Sequence, residues 1–181
     1  PYAYEPQFDE ARLKKFDAGI CYDVYEKMGA HVMEIKGVKG VYFAVWAPCA
    51  MRVSVVGDFN MWDGRRHQMR RLGDHGVFEL FIPGLDAGTV YKYEVKAKNG
   101  DAMLKADPYG SYGELRPNNA SIVWDIDRYQ WTDDPWMKER DKTDSKKKPM
   151  SIYEMHLGSW IRKPFAVDED GKEIVGSEFY N

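Results

Sequence analysis

The spacing of apolar residues along this chain changes once, near residue 40. Residues 8–29 have a helical pattern, in which Asp9 is a suitable N-cap and Gly29 a stop signal. From Gly40 onwards the apolar residues alternate with polar ones, which is the period of a half-buried strand. The pattern therefore predicts a helical extension over 1–37, followed by an all-β region.

Short strands separated by turn residues continue to about residue 125. The predicted strands cover 41–45, 52–56, 76–82, 91–97, 101–105 and 121–124. Asn99-Gly100 predicts a type I′ hairpin, because both central positions of that turn need a positive φ. Strands this short favour an immunoglobulin-like antiparallel sandwich, since a parallel sheet would need crossover helices between them. We predict a mainly β protein with the sandwich at 38–125 and one buried face on each strand.

Beyond the predicted sandwich, residues 126–149 combine a short helix with a charged linker. Asp134-Pro135 marks the start of this helix, because proline is favoured in the first helical turn. An apolar strand over 150–157 and a polar segment follow. Since a single strand cannot form a domain, we expect 150–181 to be a piece of a further domain and the chain to belong to a longer protein.

Composition excludes several classes of function. The 181 residues are 44% hydrophobic and 30% charged, as in an ordinary soluble globular protein. The net charge of −3 and the short, interrupted basic clusters argue against nucleic acid as a partner. The longest apolar stretch, 41–51, contains Pro48 and is too short to span a bilayer. We therefore expect a cytoplasmic protein with no membrane partner.

Cysteine and histidine spacing predicts neither a metal site nor a cofactor site. Cys21 and Cys49 stand far apart, with no CxxC pair and no histidine at the spacing of a zinc ligand. We interpret them as free thiols in a reducing compartment, and the sequence leaves a disulfide open. His31, His67 and His75 are expected to be surface imidazoles.

The turn 57–62 carries the most informative chemistry. It follows a strand directly and presents Asn60 beside Trp62. A sugar ring has an apolar CH face bordered by hydroxyl groups, so an indole next to an amide is a suitable partner. The alternative is structural: Phe59 and Trp62 close the edge of the sandwich, while Asp58 and Asn60 satisfy the backbone of the turn.

Several motifs, in this order along the chain, resemble the family 48 carbohydrate-binding module. They lie at 40–48, 57–62, 91–93 and 105–109. The flanking segments 25–31 and 151–160 are similar to those of bacterial 1,4-α-glucan (glycogen) branching enzymes. The resemblance extends from about residue 22 to residue 160, and it is the combination of motifs that makes it specific.

The resemblance implies a glucan-binding sandwich that precedes a (β/α)₈ barrel. The expected partners are α-glucans, namely glycogen, amylose and maltooligosaccharides, together with the enzyme's own catalytic barrel. Residues 151–157 would supply the first barrel strand, and the catalytic carboxylates would lie on later strands. No catalytic residue, metal or cofactor is expected in this chain, which should have no branching activity alone.

The same resemblance implies contact residues outside the turn. In glucan-binding relatives, a lysine of the Tyr-Lys-Tyr strand and an asparagine before the last strand reach the sugar; here they correspond to Lys92 and Asn119. Both could instead be solvated polar residues. Regulatory relatives have a second tryptophan where this chain has 102–104. A site with one platform should bind short oligosaccharides at roughly millimolar strength.

Two further expectations concern aromatic and acidic residues. Trp46, at a strand end, is expected in the core. Asp107 is expected to support a turn with Pro108 and Tyr109, and not to form an acid–base pair with Asp58.

Two rival functions stay open. The chain could be a non-catalytic adaptor that tethers a partner to glycogen, or a spacer without affinity for sugar. The segment 151–160 favours the enzyme over the adaptor, because an adaptor has no use for a barrel strand.

Overall fold

A computed structural model describes residues 3–156 and 160 of the protein. The chain divides into two compact units, with the boundary between Gln130 and Trp131. The strands are β1 Gly29–Ile35, β2 Val38–Trp46, β3 Ala50–Val56, β4 Arg70–Leu72, β5 Val77–Pro83, β6 Val90–Ala97, β7 Ala102–Lys105, β8 Tyr112–Gly113 and β9 Ser121–Ile122. The α-helices are α1 Glu10–Asp17 and α2 Asp134–Asp141, and short 3₁₀ helices cover Val24–Glu26, Asp58–Asn60, Ile126–Arg128 and Ser145–Lys147.

The first unit is the predicted antiparallel sandwich. One sheet has the strand order β1-β2-β5-β4, and the other has the order β3-β6-β9-β8, with β7 also paired to β6. The main core consists of side chains from both sheets: Val41, Phe43, Val45, Ala50, Val53, Val55, Met69, Phe78, Leu80, Ile82, Tyr91, Tyr93 and Val123. The sequence-based prediction of a mainly β sandwich is confirmed.

A second core covers the outer face of the first sheet. It contains Phe8, Leu13, Met28, Tyr42, Ala44, Leu72, Val77 and Phe81. The prediction that each strand has one wet face is therefore wrong for β5, whose residues 77–82 are all buried. The physical reason is that the N-terminal segment and α1 pack on this face and exclude water from it.

Glu79 ties this N-terminal segment to β5. Its carboxylate is 1% exposed and accepts hydrogen bonds from the backbone N–H groups of Gln7 and Phe8 at 3.1 and 3.2 Å. It also accepts a hydrogen bond from the Tyr42 hydroxyl at 2.8 Å and pairs with the Arg70 guanidinium. A polar residue at an alternating position looks solvated in the sequence, and only these partners explain its burial.

The strand β1 corrects the predicted helical extension over 1–37. It pairs with β2 from Gly29↔Ala44 to Ile35↔Val38. The two-residue turn between them has a positive φ at both positions, 53° at Lys36 and 78° at Gly37, as a type I′ hairpin requires. The predicted type I′ turn at Asn99-Gly100 is instead a longer loop, in which Gly100 has a φ of 95° and Ala97 N–H donates to Asp101 O.

Trp46 does not lie in the core, contrary to the prediction. Its side chain is 54% exposed and contacts the Phe16 ring edge-on, with 6.1 Å between centroids. On β2 it alternates with Val45, which faces the main core. Trp46 therefore lies on the outer face of the sheet, beyond the end of the covering helix.

In the second unit, α2 begins at Asp134, as the Asp-Pro signal predicts. The predicted strand at 150–157 is not present in its described part, because residues 150–156 have no regular secondary structure. A strand needs a hydrogen-bonded neighbour, and this segment pairs with none of the described strands. Residue 157 lies outside the described residues, as does the segment 163–178, whose mixture of Gly, Lys, Asp and Glu predicts a surface loop.

Candidate functional site

A groove of about 410 Å³ brings three of the four predicted contact residues together. Trp62, Lys92 and Asn119 all line it. Its other lining residues are Asp58, Val90, Glu114, Pro117, Asn118 and Ala120. Asn60, the fourth predicted contact, is not among them.

The turn after β3 sets the position of the indole. Met61 and Trp62 both have a φ of 57°, the left-handed conformation that non-glycine residues rarely adopt. Each such residue costs on the order of 1–2 kcal/mol, and strain of this kind is common at binding sites. Two hydrogen bonds hold the conformation: Trp62 N–H donates to Gly57 O at 2.9 Å, and Trp62 Nε1 donates to Asp58 Oδ1 at 2.7 Å.

Gly57 allows the turn to approach β6. A Cβ atom at this position would lie 2.4 Å from the Val90 carbonyl oxygen and 2.6 Å from the Phe59 ring. Both contacts are too short for real atoms. The absence of a side chain at Gly57 therefore lets the turn sit beside Val90, from which β6 runs on to Lys92 in the same groove.

Asn60 supports the turn from inside, which corrects its prediction as a sugar contact. Its side chain is 1% exposed. The amide oxygen accepts from Gly57 N–H at 3.1 Å, and Nδ2 donates to Val55 O at 2.9 Å and contacts His67 Nδ1 at 2.9 Å. Because these partners use both ends of the amide, the structural alternative fits Asn60.

His67 is not the surface imidazole that the sequence predicts. It is half-buried, it packs against the Phe59 ring edge at 5.4 Å, and it holds Asn60. Burial, which penalises the imidazolium, lowers the pKa of His67, and the Arg66 charge lowers it further. A neutral ring is needed here, since Nδ1 must accept the hydrogen bond from Asn60 Nδ2.

The side chains of the Tyr-Lys-Tyr segment of β6 point to opposite faces of the sheet. Tyr91 and Tyr93 face the core, where their hydroxyls donate to Asp107 Oδ2 at 2.6 and 2.9 Å. Lys92 points outward, and its ammonium donates to Asn119 Oδ1 across the groove. Strand alternation therefore separates anchoring groups from groups that can meet a ligand.

Asp107 is a turn residue, as predicted. Its Oδ1 accepts from Tyr109 N–H at 2.8 Å, and its own N–H donates to Ser121 Oγ at 2.9 Å. It is 8% exposed, and burial raises the pKa of its carboxyl group. Burial and the nearby Asp107 carboxylate also raise the pKa of Tyr91 above its ordinary value. These interactions fix the segment before β8.

The loop 114–120 forms the opposite wall of the groove. Glu114 N–H donates to Ala120 O at 3.0 Å, and its carboxylate accepts from Ala120 N–H at 3.0 Å and from Asn118 Nδ2 at 3.2 Å. The loop is thus closed on itself by one side chain. Sequence reasoning missed Glu114 and Asn118 as lining residues, since their position depends on this closure.

The groove offers an aromatic surface, hydrogen-bond donors and hydrogen-bond acceptors within one short span. The indole of Trp62 supplies the first, Lys92 and Asn119 supply donors, and the carboxylates of Asp58 and Glu114 supply acceptors. A neutral polyhydroxyl ligand with an apolar face can use all three kinds of group.

Within residues 3–156 and 160, no three His, Cys, Asp or Glu side chains are grouped to hold a metal ion. None of the described helices has the length and apolarity needed to cross a membrane. Cys21 and Cys49 are both free.

The chain is similar in sequence to known carbohydrate-active proteins. The sequence profile of carbohydrate-binding module 48 (isoamylase N-terminal domain) matches residues 27–110, which include Trp62 and Lys92. The chain is 52% identical to the 1,4-alpha-glucan branching enzyme GlgB of Thermosynechococcus vestitus, over 97% of this chain and 24% of that protein. It is 51% identical to the protein of the same name from Rubrobacter xylanophilus, over 98% of this chain and 24% of that protein.

Among solved structures, a pullulanase from Bacillus acidopullulyticus matches 54% of this chain and 12% of its own, with a TM-score of 0.44 and 22% identity. The chain spans about a quarter of the length of the curated relatives it matches. The similarity to them also covers residues on both sides of the profile match. Residues 27–110 match the carbohydrate-binding module 48 family, and nearly the whole chain is similar to part of the bacterial 1,4-alpha-glucan branching enzymes named above.

Proposed function

We propose that the groove binds a segment of α-1,4-glucan, with Trp62 as the platform under a glucose ring and Lys92 and Asn119 as hydroxyl partners. The observation that carries the proposal is the convergence of these three side chains from separate parts of the sequence. The strained backbone at Trp62 adds support, because strain of this kind is retained where the position of a side chain matters.

Lys92 and Asn119 are already paired with one another, which suits a hydroxyl ligand. A sugar hydroxyl both donates and accepts, so it can accept from the Lys92 ammonium while donating to Asn119 Oδ1. Insertion of one hydroxyl between them replaces their direct hydrogen bond without leaving either group unsatisfied. Glycogen, amylose and maltooligosaccharides all present such hydroxyls beside an apolar ring face.

Affinity for a short oligosaccharide should be low. The groove has one aromatic platform, and 102–104 lie in the exposed strand β7, whose residues are not among those that line the groove. We expect a dissociation constant of roughly millimolar order for maltotriose, which is about 4 kcal/mol of binding free energy. A branched polymer should be retained better, because many equivalent segments raise the effective concentration of ligand.

Affinity electrophoresis in gels with and without glycogen tests the site. Trp62→Ala should restore nearly free migration in the glycogen gel, whereas Trp136→Ala, which removes another exposed indole from the second unit, should migrate like the parent. Equal retardation of the parent and of a folded Trp62→Ala variant would contradict the proposal. Unretarded migration of the parent itself would contradict glucan binding by this chain altogether.

The relatives extend the proposal from binding to reaction. Those reported above carry the name 1,4-alpha-glucan branching enzyme and are about four times as long as this chain. We place glucan positioning in this chain and the bond-making carboxylates of the retaining mechanism in the part of the relatives that it does not match. Similarity to an enzyme over 97% of the chain favours this role over a glycogen-tethering adaptor.

An activity assay tests this division of roles. The chain alone, incubated with amylose, should leave the iodine colour and the number of α-1,6 branch points unchanged. Formation of new branch points would contradict the assignment of catalysis to the unmatched part of the relatives.

A further inference from the structure

Residues of the loop 114–120 also line a second groove, of about 670 Å³. It is lined by Ala106, Asp107, Gly110, Ser111, Tyr112, Gly113, Glu114, Arg116, Pro117, Asn118, Asn119, Ala120 and Ser121. It shares Glu114 and 117–120 with the first groove, so one loop forms a wall of both. Each volume falls within the range of about 300–1,000 Å³ that is usual for small-ligand pockets.

Tyr112, on β8, provides an aromatic surface in this second groove. The ring is 48% exposed, and its centroid lies 4.6 Å from the Trp124 centroid at an interplanar angle of 33°. The Arg128 guanidinium carbon lies 4.0 Å from the same Trp124 centroid. Trp124 is therefore in contact with both Tyr112 and Arg128.

These two contacts of Trp124 make Tyr112 a supported platform. An exposed tyrosine normally loses rotamer freedom when a ligand immobilises it, and that loss weakens binding. Here the Trp124 ring already restricts the tyrosine, and the cation–π contact with Arg128 restricts Trp124 in turn. The Tyr112 side chain has therefore lost much of its rotamer freedom before a ligand binds, so that binding carries a smaller entropy penalty.

The polar rim of the second groove suits a neutral ligand better than an anion. Arg116 is exposed and makes no hydrogen bond or ion pair with the other described residues, so its five donors are available. The Glu114 carboxylate lies on the same rim and would repel an anion, while it can accept from hydroxyl groups. Ser111 and Asn118 add neutral donors and acceptors.

We propose that this groove is a second subsite for the same glucan chain, with Tyr112 as its platform, so that a chain of sufficient length crosses the loop 114–120 and occupies both grooves. The proposal rests on glucan binding in the first groove and adds a preference for longer chains. A short oligosaccharide fills one subsite, whereas a longer one brings its second half to Tyr112 at high effective concentration.

Titration of the 181-residue chain with maltotriose and maltoheptaose tests the second subsite. We expect the parent to bind maltoheptaose about tenfold more tightly than maltotriose, because the linked second contact forms at high effective concentration. Tyr112→Ala should reduce this ratio to about two while leaving maltotriose affinity unchanged. Tyr22→Ala, which removes a tyrosine that is 85% exposed and lines neither groove, is the matched control.

Trp62→Ala separates failure of the second subsite from failure of the proposed function. Trp62→Ala could weaken the binding of both sugars while Tyr112→Ala keeps the parental ratio of maltoheptaose to maltotriose affinity. In that case the proposal of a second subsite is wrong, and the proposal of glucan binding in the first groove is retained. If the parent binds neither sugar, both proposals are overturned. If Tyr112→Ala does not fold, Tyr112→Leu, which keeps apolar bulk on Trp124 and loses the flat ring, replaces it with the same expected ratio.

The Trp124 indole N–H signal in a proton–nitrogen NMR spectrum gives a direct readout in the unmodified chain. Because Trp124 lies directly behind Tyr112, saturating maltoheptaose should shift this signal, and saturating maltotriose should shift it much less. An unshifted Trp124 signal at saturating maltoheptaose, with the first groove occupied, would overturn the proposal.

Discussion

The outer faces of the two sheets differ in what covers them. On the first sheet, the N-terminal segment and α1 bury the outer face and Glu79 fastens them to β5. On the second sheet, the outer side of β6 at Lys92 stays open, and a turn and a loop make the walls of a groove around it. A face covered by the chain itself adds stability, whereas a face left open between fixed walls is available to a ligand.

Removal of the Glu79 side chain should produce the largest change, a loss of stability at the covered face of the first sheet. Glu79→Ala takes a buried anionic partner from Arg70 and an acceptor from Tyr42 and from two backbone N–H groups. Breaking a buried pair in this way costs about 3–5 kcal/mol in the free energy of unfolding. Urea unfolding measures the loss.

Replacement of both charges, as in Arg70→Met with Glu79→Leu, should cost clearly less than Glu79→Ala, because no buried charge then lacks a partner. Glucan retention should match the parent in any variant that stays folded, since the affected face is not the face with the groove. A loss of less than about 1 kcal/mol in Glu79→Ala would show that the N-terminal segment is not fastened at this point.

Substitution of Asn60 and of Trp62 distinguishes a residue that supports the turn from a residue that contacts the ligand. Asn60→Ala leaves Gly57 N–H and Val55 O without their buried partners, which should cost about 1–3 kcal/mol of unfolding free energy. Trp62→Ala, in contrast, should lower glucan affinity with little change in the unfolding free energy, because the indole is only half-buried.

Thermal unfolding and glycogen-gel migration of these two variants give the comparison. A stable Asn60→Ala variant that has lost glucan retention would restore Asn60 as a direct contact and contradict the internal role derived from its hydrogen bonds.

The smallest expected effect is a pH dependence at His67. Its pKa is lowered in the folded protein, so below about pH 6.5 the unfolded chain binds a proton more readily than the folded one. The stability due to neutral His67 is therefore fully present above that pH and declines as the pH falls towards the lower pKa of the folded state.

Comparison with His67→Gln isolates this contribution from the other histidines. Glutamine keeps an acceptor for Asn60 Nδ2 but does not titrate, so the parent should lose more stability than the variant between pH 7 and pH 5. Parallel curves for the two proteins in thermal unfolding at each pH would rule out the contribution.

Local patterns predicted much of this fold, and they were wrong where a distant segment decides burial. Alternation along β6 correctly separates Tyr91 and Tyr93 from Lys92. The same alternation is wrong for β5, because Phe8 and Gln7 cover Glu79. These two residues precede Glu79 by 71 and 72 positions in the chain. β1 was missed because its Lys-Gly turn is a weaker hairpin signal than Asn-Gly.

The turn 57–62 shows the same limit within six residues. Sequence chemistry identifies the turn and its candidates for sugar contact, Asn60 and Trp62. It cannot assign their directions, because these depend on the left-handed backbone at Met61 and Trp62 and on the neutral acceptor at His67. Similarly, Glu114 and Tyr112 carry no motif, and only loop closure and ring stacking bring them to the grooves.

The sequence by itself determined the sandwich, because period-two alternation and turn residues act locally. The chemistry of the turn 57–62 also predicted Trp62, and the resemblance to family 48 carbohydrate-binding modules implied Lys92 and Asn119; all three line the groove. Only the tertiary structure decided which face is covered, which amide is buried and which grooves share a wall. Those outcomes depend on contacts between residues far apart in the chain, and the free energy of such contacts is not encoded in any short segment.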